Sequence, residues 1–332
     1  MKTKILGTTE HDIAEAAEII KRGGLVAFPT ETVYGLGADA LDPEAVRSIY
    51  LAKGRPSDNP TIVHIAEPED LKRLTPEVTA DMETLAAEFW PGPMTMIVRR
   101  MPVVPDVTTG GLDTVGVRMP ANDAARALIK AAGTPIAAPS ANISGKPSPT
   151  NARDVLEDMD GRIDAVIDGG TCGVGIESTV IDMTEEMPMI LRPGILTAEE
   201  LGNALGKEVG IDPALLKKPG DQTGLVPKAP GQKYKHYAPN AEMILYKGRA
   251  ADVAARIERD RAAFEAEGKR VAVISFDEGG EKQAAHDFFT LVRKADRDGA
   301  DVILTAALRE EGIGFSVMNR MLKSAGYNIV EV

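Results

Sequence analysis

The chain is poor in the residues that build cross-links and metal centres. Its 332 residues include one cysteine, Cys172, and four histidines. A single thiol excludes an internal disulfide and leaves too little thiolate for a structural zinc site, which suits a reducing cytoplasm. No apolar run approaches the ~18 residues of a membrane-spanning helix. The amino-terminal residues reach an acidic stretch by Glu10-His11-Asp12, with no secretory signal readable before it. Aromatics make up 4%. Basic residues are outnumbered 38 to 50, a net charge of −12, of which −10 falls on residues 1–240 and −2 on residues 241–332. Such a surface lacks the electrostatic footprint of an extended nucleic-acid binder, so direct nucleic-acid contact is expected to be weak or absent. An anion bound by the first part of the chain must meet a few focused cations. Motifs are missing too. There is no G-x-x-x-x-G-K-[ST] phosphate loop, no H-E-x-x-H, no C-x-x-C and no G-x-S-x-G elbow, and no protein-built metal site is expected.

What is present reads as two blocks joined by a linker. From Thr9 to about Leu205, strands and helices alternate. Thr9-x-x-Asp12 resembles a capping box ahead of Ile13, Ala16, Ala17 and Ile20 at helical spacing. Leu25–Phe28, Ile62–Ile65, Met94–Val98, Val115–Arg118, Ala165–Ile167 and Thr179–Ile181 read as strands. A helix is expected from Asn122 to Ala132, stopped by Gly133, and another opens at Thr197-x-x-Glu200. This is mixed α/β. Residues 207–240 are rich in proline, glycine and lysine and have no apolar period, so they read as a linker. The run Tyr234-Lys235-His236-Tyr237 is an odd choice for a passive tether. From residue 241 the order strand, helix, strand, helix, strand, helix, strand suggests a small parallel Rossmann-like unit, without a G-x-G-x-x-G after its first strand. The expected domains are thus 1–206, a 207–240 linker, and 241–332.

The chemistry gathers in polar loops at strand ends. Pro29-Thr30-Glu31-Thr32-Val33-Tyr34-Gly35-Leu36-Gly37 follows a strand and combines hydroxyls, a carboxylate and two glycines, which suits either a small-ligand loop or an ordinary turn. Lys53-Gly54-Arg55-Pro56-Ser57-Asp58-Asn59-Pro60 holds two cations. Extended backbone points them to opposite faces, a proline-bounded turn brings both to one anion, and a solvated basic turn needs neither. Arg118 lies in the apolar strand after Thr114, where burial demands a carboxylate or phosphate partner. Ala137–Thr150 is dense in hydroxyls and amides, with Thr150 placed to cap a helix from Asn151. In Gly169–Gly175, four glycines permit close backbone approach to an anion, or a flexible hairpin. Arg192, in Leu191-Arg192-Pro193-Gly194, adds a cation at a strand end.

In this order the motifs P-T-E-T-V-Y-G-L-G, K-G-R-P-S-x-N-P with His64 beyond, F-W-P-G-P-M-T, G-L-D-T-V-G-V-R-M-P, P-S-A-N-I-S-G-x-P-S-P-T, G-I-E-S-T-V-I-D and L-R-P-G resemble the YrdC-like threonylcarbamoyl-AMP synthases. The linker P-G-Q-K-Y-K-H-Y-A-P and the α/β tail resemble their long, two-domain branch. The resemblance implies a YrdC-like twisted mixed-sheet domain followed by the linker and the Rossmann-like domain. It implies a nucleotidyltransferase that joins L-threonine, bicarbonate and ATP, with Mg2+ on the triphosphate, into threonylcarbamoyl-AMP for tRNA modification. The downstream tRNA threonylcarbamoyl transferase machinery is then a candidate partner. By the same resemblance Thr32, His64, Arg118, Ala138 and Ser178 line a threonine pocket. Arg55, Asn59, Thr114, Ser140, Asn142, Ser148, Arg192, Tyr234 and His236 hold ATP, and Lys53 and Arg55 act on the phosphates. The Lys233–Tyr237 segment is expected to close over the site as a lid. Two other classes stay open on this reading: an RNA-binding module, opposed by the charge, and a carbamoyl transferase using carbamoyl phosphate.

Overall fold

The computed structural model describes residues 2–216, 236–277 and 279–332. These form two compact units. The first runs to Ser144 and resumes at Ser148, and the second combines Gly145–Pro147 with the described residues from His236 onward. Tyr234 and most of the expected lid lie outside the described residues. Among the described residues no helix is long and apolar enough to cross a membrane.

The first unit begins β1 (Lys4–Leu6), α1 (Glu10–Lys21), β2 (Val26–Phe28), β3 (Gly35–Asp39), α2 (Pro43–Lys53) and β4 (Ile62–His64). It continues α3 (Ala80–Phe89), β5 (Met94–Arg99), α4 (Asp106–Thr109), β6 (Thr114–Arg118), α5 (Asp123–Ala132) and β7 (Ile136–Ala137). It ends α6 (Ala152–Met159), β8 (Ala165–Ile167), β9 (Thr179–Asp182), β10 (Met189–Arg192), α7 (Ala198–Leu205) and β11 (Gly210–Ile211). The strands form one mixed sheet in the order β1-β8-β2-β3-β7-β4-β6-β5-β9-β10-β11. Both faces of the sheet are covered, and β2 shows how the chain manages it. Its alternating residues divide, Val26 and Phe28 packing with Ile13, Ile20, Leu128 and Ile129 of α1 and α5. Leu25 and Ala27 face the other way, into the core with Val46, Ile49, Leu85, Val155 and Leu201 of α2, α3, α6 and α7.

The helix ends follow the local chemistry. Thr9 caps α1 through the Asp12 amide, Asn122 caps α5, Gly133 closes it in the left-handed region, and Thr197 with Glu200 forms a capping box on α7. Asn151, in place of the expected Thr150, caps α6 by accepting from the Asp154 amide. The polar loop after β2 is also shorter than expected, because Gly35 and Gly37 belong to β3. There the Phe28 ring lies so close that a Cβ on Gly37 would stand 2.7 Å from Phe28 Cε1 and 2.8 Å from Ile136 Cγ2. Those glycines make room for a ring across two paired strands.

In the second unit β12 (Glu242–Lys247), α8 (Ala250–Ala266), β13 (Val271–Ile274), α9 (Glu281–Arg297), β14 (Val302–Ala306), α10 (Gly312–Ser324) and β15 (Ile329–Glu331) alternate. The sheet, ordered β13-β14-β12-β15, is parallel throughout, as the sequence pattern predicts. A crevice of about 540 Å³ opens at the carboxyl ends of β12, β13 and β14, lined by Tyr246, Ser275 and Leu308 among others.

Candidate active site

The site is organised by two short parallel strands. β4 and β6 pair in register, Ile62 with Gly116 and His64 with Arg118. Their amino-terminal ends carry Asn59 and Thr114, and their carboxyl ends carry His64 and Arg118. The rise of an extended chain puts Thr114 and Arg118 about 13 Å apart. The residues assigned to ATP and to threonine thus divide, in part, between the two ends of one strand pair.

At the carboxyl end Arg118 is buried, with its side chain 5% exposed. Its Nη1 donates to Thr32 Oγ1 at 2.9 Å, its Nε to Gly92 O at 3.3 Å, and its Nη2 stands 2.7 Å from Glu31 Oε1. The partner that burial demands is therefore Glu31, whose Oε2 also accepts from the Ala121 amide at 3.1 Å. Thr30 supports this group, its hydroxyl 2.9 Å from that of Thr32 while it donates to Val33 O. His64 is buried, with Nδ1 3.2 Å from Ile62 O and its ring edge-on to Phe28. Burial first, and then the Arg118 guanidinium, push its pKa down to about 3, so the imidazole is neutral. Ala138 follows β7 and donates its amide to Ile62 O.

A second bonded group lies along β5, β9 and β10. Arg192, at the end of β10, donates through Nε to Ser178 O at 3.1 Å and through Nη2 to Ser178 Oγ at 3.0 Å. The Ser178 hydroxyl is 2.8 Å from Thr95 Oγ1. Next to it, Glu177 accepts from the buried Ser148 hydroxyl at 2.5 Å. Gly194 is needed behind Arg192, because a Cβ there would stand 2.3 Å from the Thr179 amide nitrogen.

Lys53 and Arg55 meet different parts of the protein. Lys53 closes α2, is 1% exposed, and donates its ammonium to the carbonyls of Ser140 and Asn142. The Ser140 hydroxyl in turn donates to Asn142 Oδ1 at 2.5 Å. Arg55 turns back on its own loop, to Asn59 O at 3.3 Å and Pro60 O at 2.9 Å. Tyr50, its phenol pushed up to about 12 by burial, donates to Asn59 O and Val107 O.

The glycine-rich loop behaves differently from an anion cradle. Five of its seven amides are engaged within the protein: Gly169 with Tyr34 Oη, Gly170 with Asp168, Cys172 with Thr150 O, Val174 with Glu31 O and Gly175 with Thr32 O. The loop clamps the Glu31–Thr32 segment, and Tyr34 completes the clamp by donating to Gly170 O. Cys172 is buried in it, and burial pushes its thiol up to about 12. His236 belongs to the second unit, its ring 5.5 Å from that of Tyr237. Tyr234 lies outside the described residues. Sequence reasoning left four participants unassigned: Glu31, Thr30, Thr95 and Glu177. Glu31 was findable in principle, since a buried arginine requires a nearby anion, but the pairing spans 87 positions. Thr95 was signalled by a hydroxyl within an otherwise apolar strand.

The arrangement has known relatives. The Sua5/YciO/YrdC family model, described as telomere recombination, matches residues 18–194. The model for the C-terminal domain of threonylcarbamoyl-AMP synthase matches residues 196–326. The threonylcarbamoyl-AMP synthase of Pyrococcus abyssi is 51% identical over 97% of this chain and 96% of its own length. That of Bacillus subtilis is 41% identical over 99% and 97%. The crystal structure of P. abyssi Sua5 complexed with L-threonine superposes with a TM-score of 0.93 at 49% identity, covering 99% of this chain and 100% of that one. With both of its domains matched and full-length relatives above 40% identity, the chain belongs to the YrdC-like threonylcarbamoyl-AMP synthase family, in its two-domain Sua5 branch.

Proposed function

We propose that this chain condenses L-threonine, bicarbonate and ATP into threonylcarbamoyl-AMP and pyrophosphate, as a cytoplasmic step towards threonylcarbamoyladenosine in tRNA. The observation that carries the reading is the buried Arg118–Thr32–Glu31 group beside neutral His64, within a chain alike over its full length to synthases of that name. Arg118 offers its guanidinium to the threonine α-carboxylate, and Thr32 or Ser178 meets the substrate hydroxyl. The substrate ammonium loses a proton to solvent, and the amine nitrogen bonds to the bicarbonate carbon as that carbon's bond to its hydroxyl oxygen breaks, the oxygen leaving as water with a second proton from the nitrogen. One oxygen of the resulting carbamate then attacks the α-phosphorus. As that P–O bond forms, the bond from the α-phosphorus to the bridging oxygen breaks, and pyrophosphate departs with the electron pair.

Catalysis on this reading is mostly alignment of two anions, with charge stabilised by fixed donors. Arg55 and Arg192 supply cations for the phosphates, with Asn59, Thr114 and Ser148 as polar contacts. Lys53 sets the Ser140–Asn142 loop against which the nucleotide lies. Mg2+ enters as part of the nucleotide substrate and offsets the triphosphate charge. Tyr234 and His236 keep their ATP assignment through family resemblance, and the tRNA threonylcarbamoyl transferase machinery is the consumer of the product.

The test is pyrophosphate release from ATP and Mg2+, omitting L-threonine and bicarbonate in turn, with the adenylate sought by mass spectrometry. Release that needs both, and is lost in Arg55→Ala, supports the reading. Release indifferent to threonine overturns it.

A further inference from the structure

Glu31 takes no part in the reaction as set out above, yet it is built into the centre of the threonine group. Its side chain is 16% exposed, and its Oε1 lies 2.7 Å from Arg118 Nη2. Burying an ion pair is expensive, and an apolar pair of similar volume is often no less stable. Stability alone is therefore a weak reason to keep a carboxylate here. The placement is also precise. The Glu31 and Thr32 carbonyls accept from the Val174 and Gly175 amides at 2.8 and 3.1 Å, so the backbone presenting the carboxylate is held at both residues. Neither charge is saturated by the contacts above. A carboxylate has about four acceptor positions and a guanidinium five donors, against two and three contacts here.

An α-amino acid carries an anion and a cation on one carbon. A site offering a cation and an anion side by side, with the Thr32 hydroxyl on the cation, matches that pair charge for charge. We propose that Glu31 receives the α-ammonium of the amino-acid substrate, so that Arg118 and Glu31 together select a zwitterion. The proposal rests on the threonine reading of the site and adds a specificity-determining residue to it. The titratable neighbours do not blur the charge pattern. His64, behind Arg118 on β4, is neutral with its pKa near 3, and Cys172, from the loop after β8, is neutral with its thiol near 12. Within the bonded group itself the charged side chains are Glu31 and Arg118.

The experiment compares L-threonine with the 2,3-dihydroxybutanoate of the same configuration, which replaces the ammonium by a hydroxyl, using calorimetric titration of the full chain. Wild type should prefer threonine. Glu31→Gln should weaken threonine roughly 10–100-fold, the loss of a charge-assisted hydrogen bond, while the dihydroxy acid and the KM for ATP stay within about threefold. Equal losses for both acids would show that Glu31 only orients Arg118, and would overturn the proposal. So would unchanged affinity for both. Should Glu31→Gln fail to fold, Glu31→Asp keeps a carboxylate and must keep the preference for threonine; binding both acids equally would overturn the proposal as well. A wild-type chain that binds neither acid overturns the threonine reading itself, a result distinct from any failure of the variant.

Discussion

Lys53 offers the sharpest test of how the site is built. The residue is 1% exposed, and its ammonium is bonded to the carbonyls of Ser140 and Asn142, 87 and 89 positions away. Lys53→Met keeps the length and apolar stem of the side chain and removes the charge with its donors. Each hydrogen bond to a charged group contributes about 1.5–3 kcal/mol, and two carbonyls lose their donor. Relief from burying a charge offsets part of this, leaving a net loss of about 2–4 kcal/mol. For a domain of this size each kcal/mol moves Tm by about 2–4 °C, so the first unit should melt about 5–15 °C lower. Calorimetry gives that shift, and steady-state kinetics run below the new Tm give the KM for ATP, which should rise as the Ser140–Asn142 loop loosens. Lys53→Arg should recover part of the stability, since the charge returns with a flatter geometry. A Lys53→Met chain that melts within about 2 °C of wild type, with kcat alone reduced, refutes the reasoning. The ammonium would then act on the nucleotide as a point charge, the role expected from the sequence.

Three further outcomes follow from described contacts. Gly37→Ala should destabilise by about 1–3 kcal/mol in urea unfolding, because its Cβ meets Phe28 and Ile136 below contact distance, whereas Gly173→Ala projects into open space and should change stability by less than about 0.5 kcal/mol. His64 has a folded pKa pushed below its unfolded value, so its contribution is fully present above about pH 6.5 and is lost as the pH falls from there towards 3. The slope reaches about 1.4 kcal/mol per pH unit, and His64→Asn should therefore lose about 2 kcal/mol less than wild type between pH 7 and pH 5 in paired urea titrations; identical pH dependence would contradict the buried neutral imidazole. Cys172, buried with its thiol pushed up to about 12, should react with a chromogenic disulfide at pH 8 roughly 100-fold more slowly in the native chain than in urea.

Much of the architecture is legible locally because its signals are local. Thr9, Asn122 and Thr197 cap the helices they precede, and the seven alternating elements after residue 241 form the expected parallel sheet. Where the reading strayed, a distant contact decided the outcome. Gly35 and Gly37 look like turn glycines until the Phe28 ring is seen lying across them. Lys53 is expected to act on the phosphates, and the carbonyls that hold its ammonium, nearly ninety residues on, cannot be inferred from its neighbours. The glycine-rich loop has the composition of an anion cradle, but most of its amides are taken up by Tyr34, Asp168, Thr150, Glu31 and Thr32. The demand of Arg118 for an anion was clear from its strand, while the identity of that anion depended on tertiary structure.

The backbone bonds that frame the site join stretches far apart along the chain: Tyr34 with Pro149, Leu36 with Pro139, Ala141 with Tyr34, Cys172 with Thr150, Val174 with Glu31. Strand β1 likewise pairs with β8, some 160 residues later. Loop closure on this scale is slow, and none of these bonds can form before both partners exist. During synthesis the chain cannot complete the Arg118–Glu31 group with its clamp until Gly175 has emerged, nor the Ser178–Arg192 group until β10 is complete. Amino-acid binding is therefore a property of the finished first unit, and a fluorescent or calorimetric threonine signal would serve as a report on folding as much as on recognition.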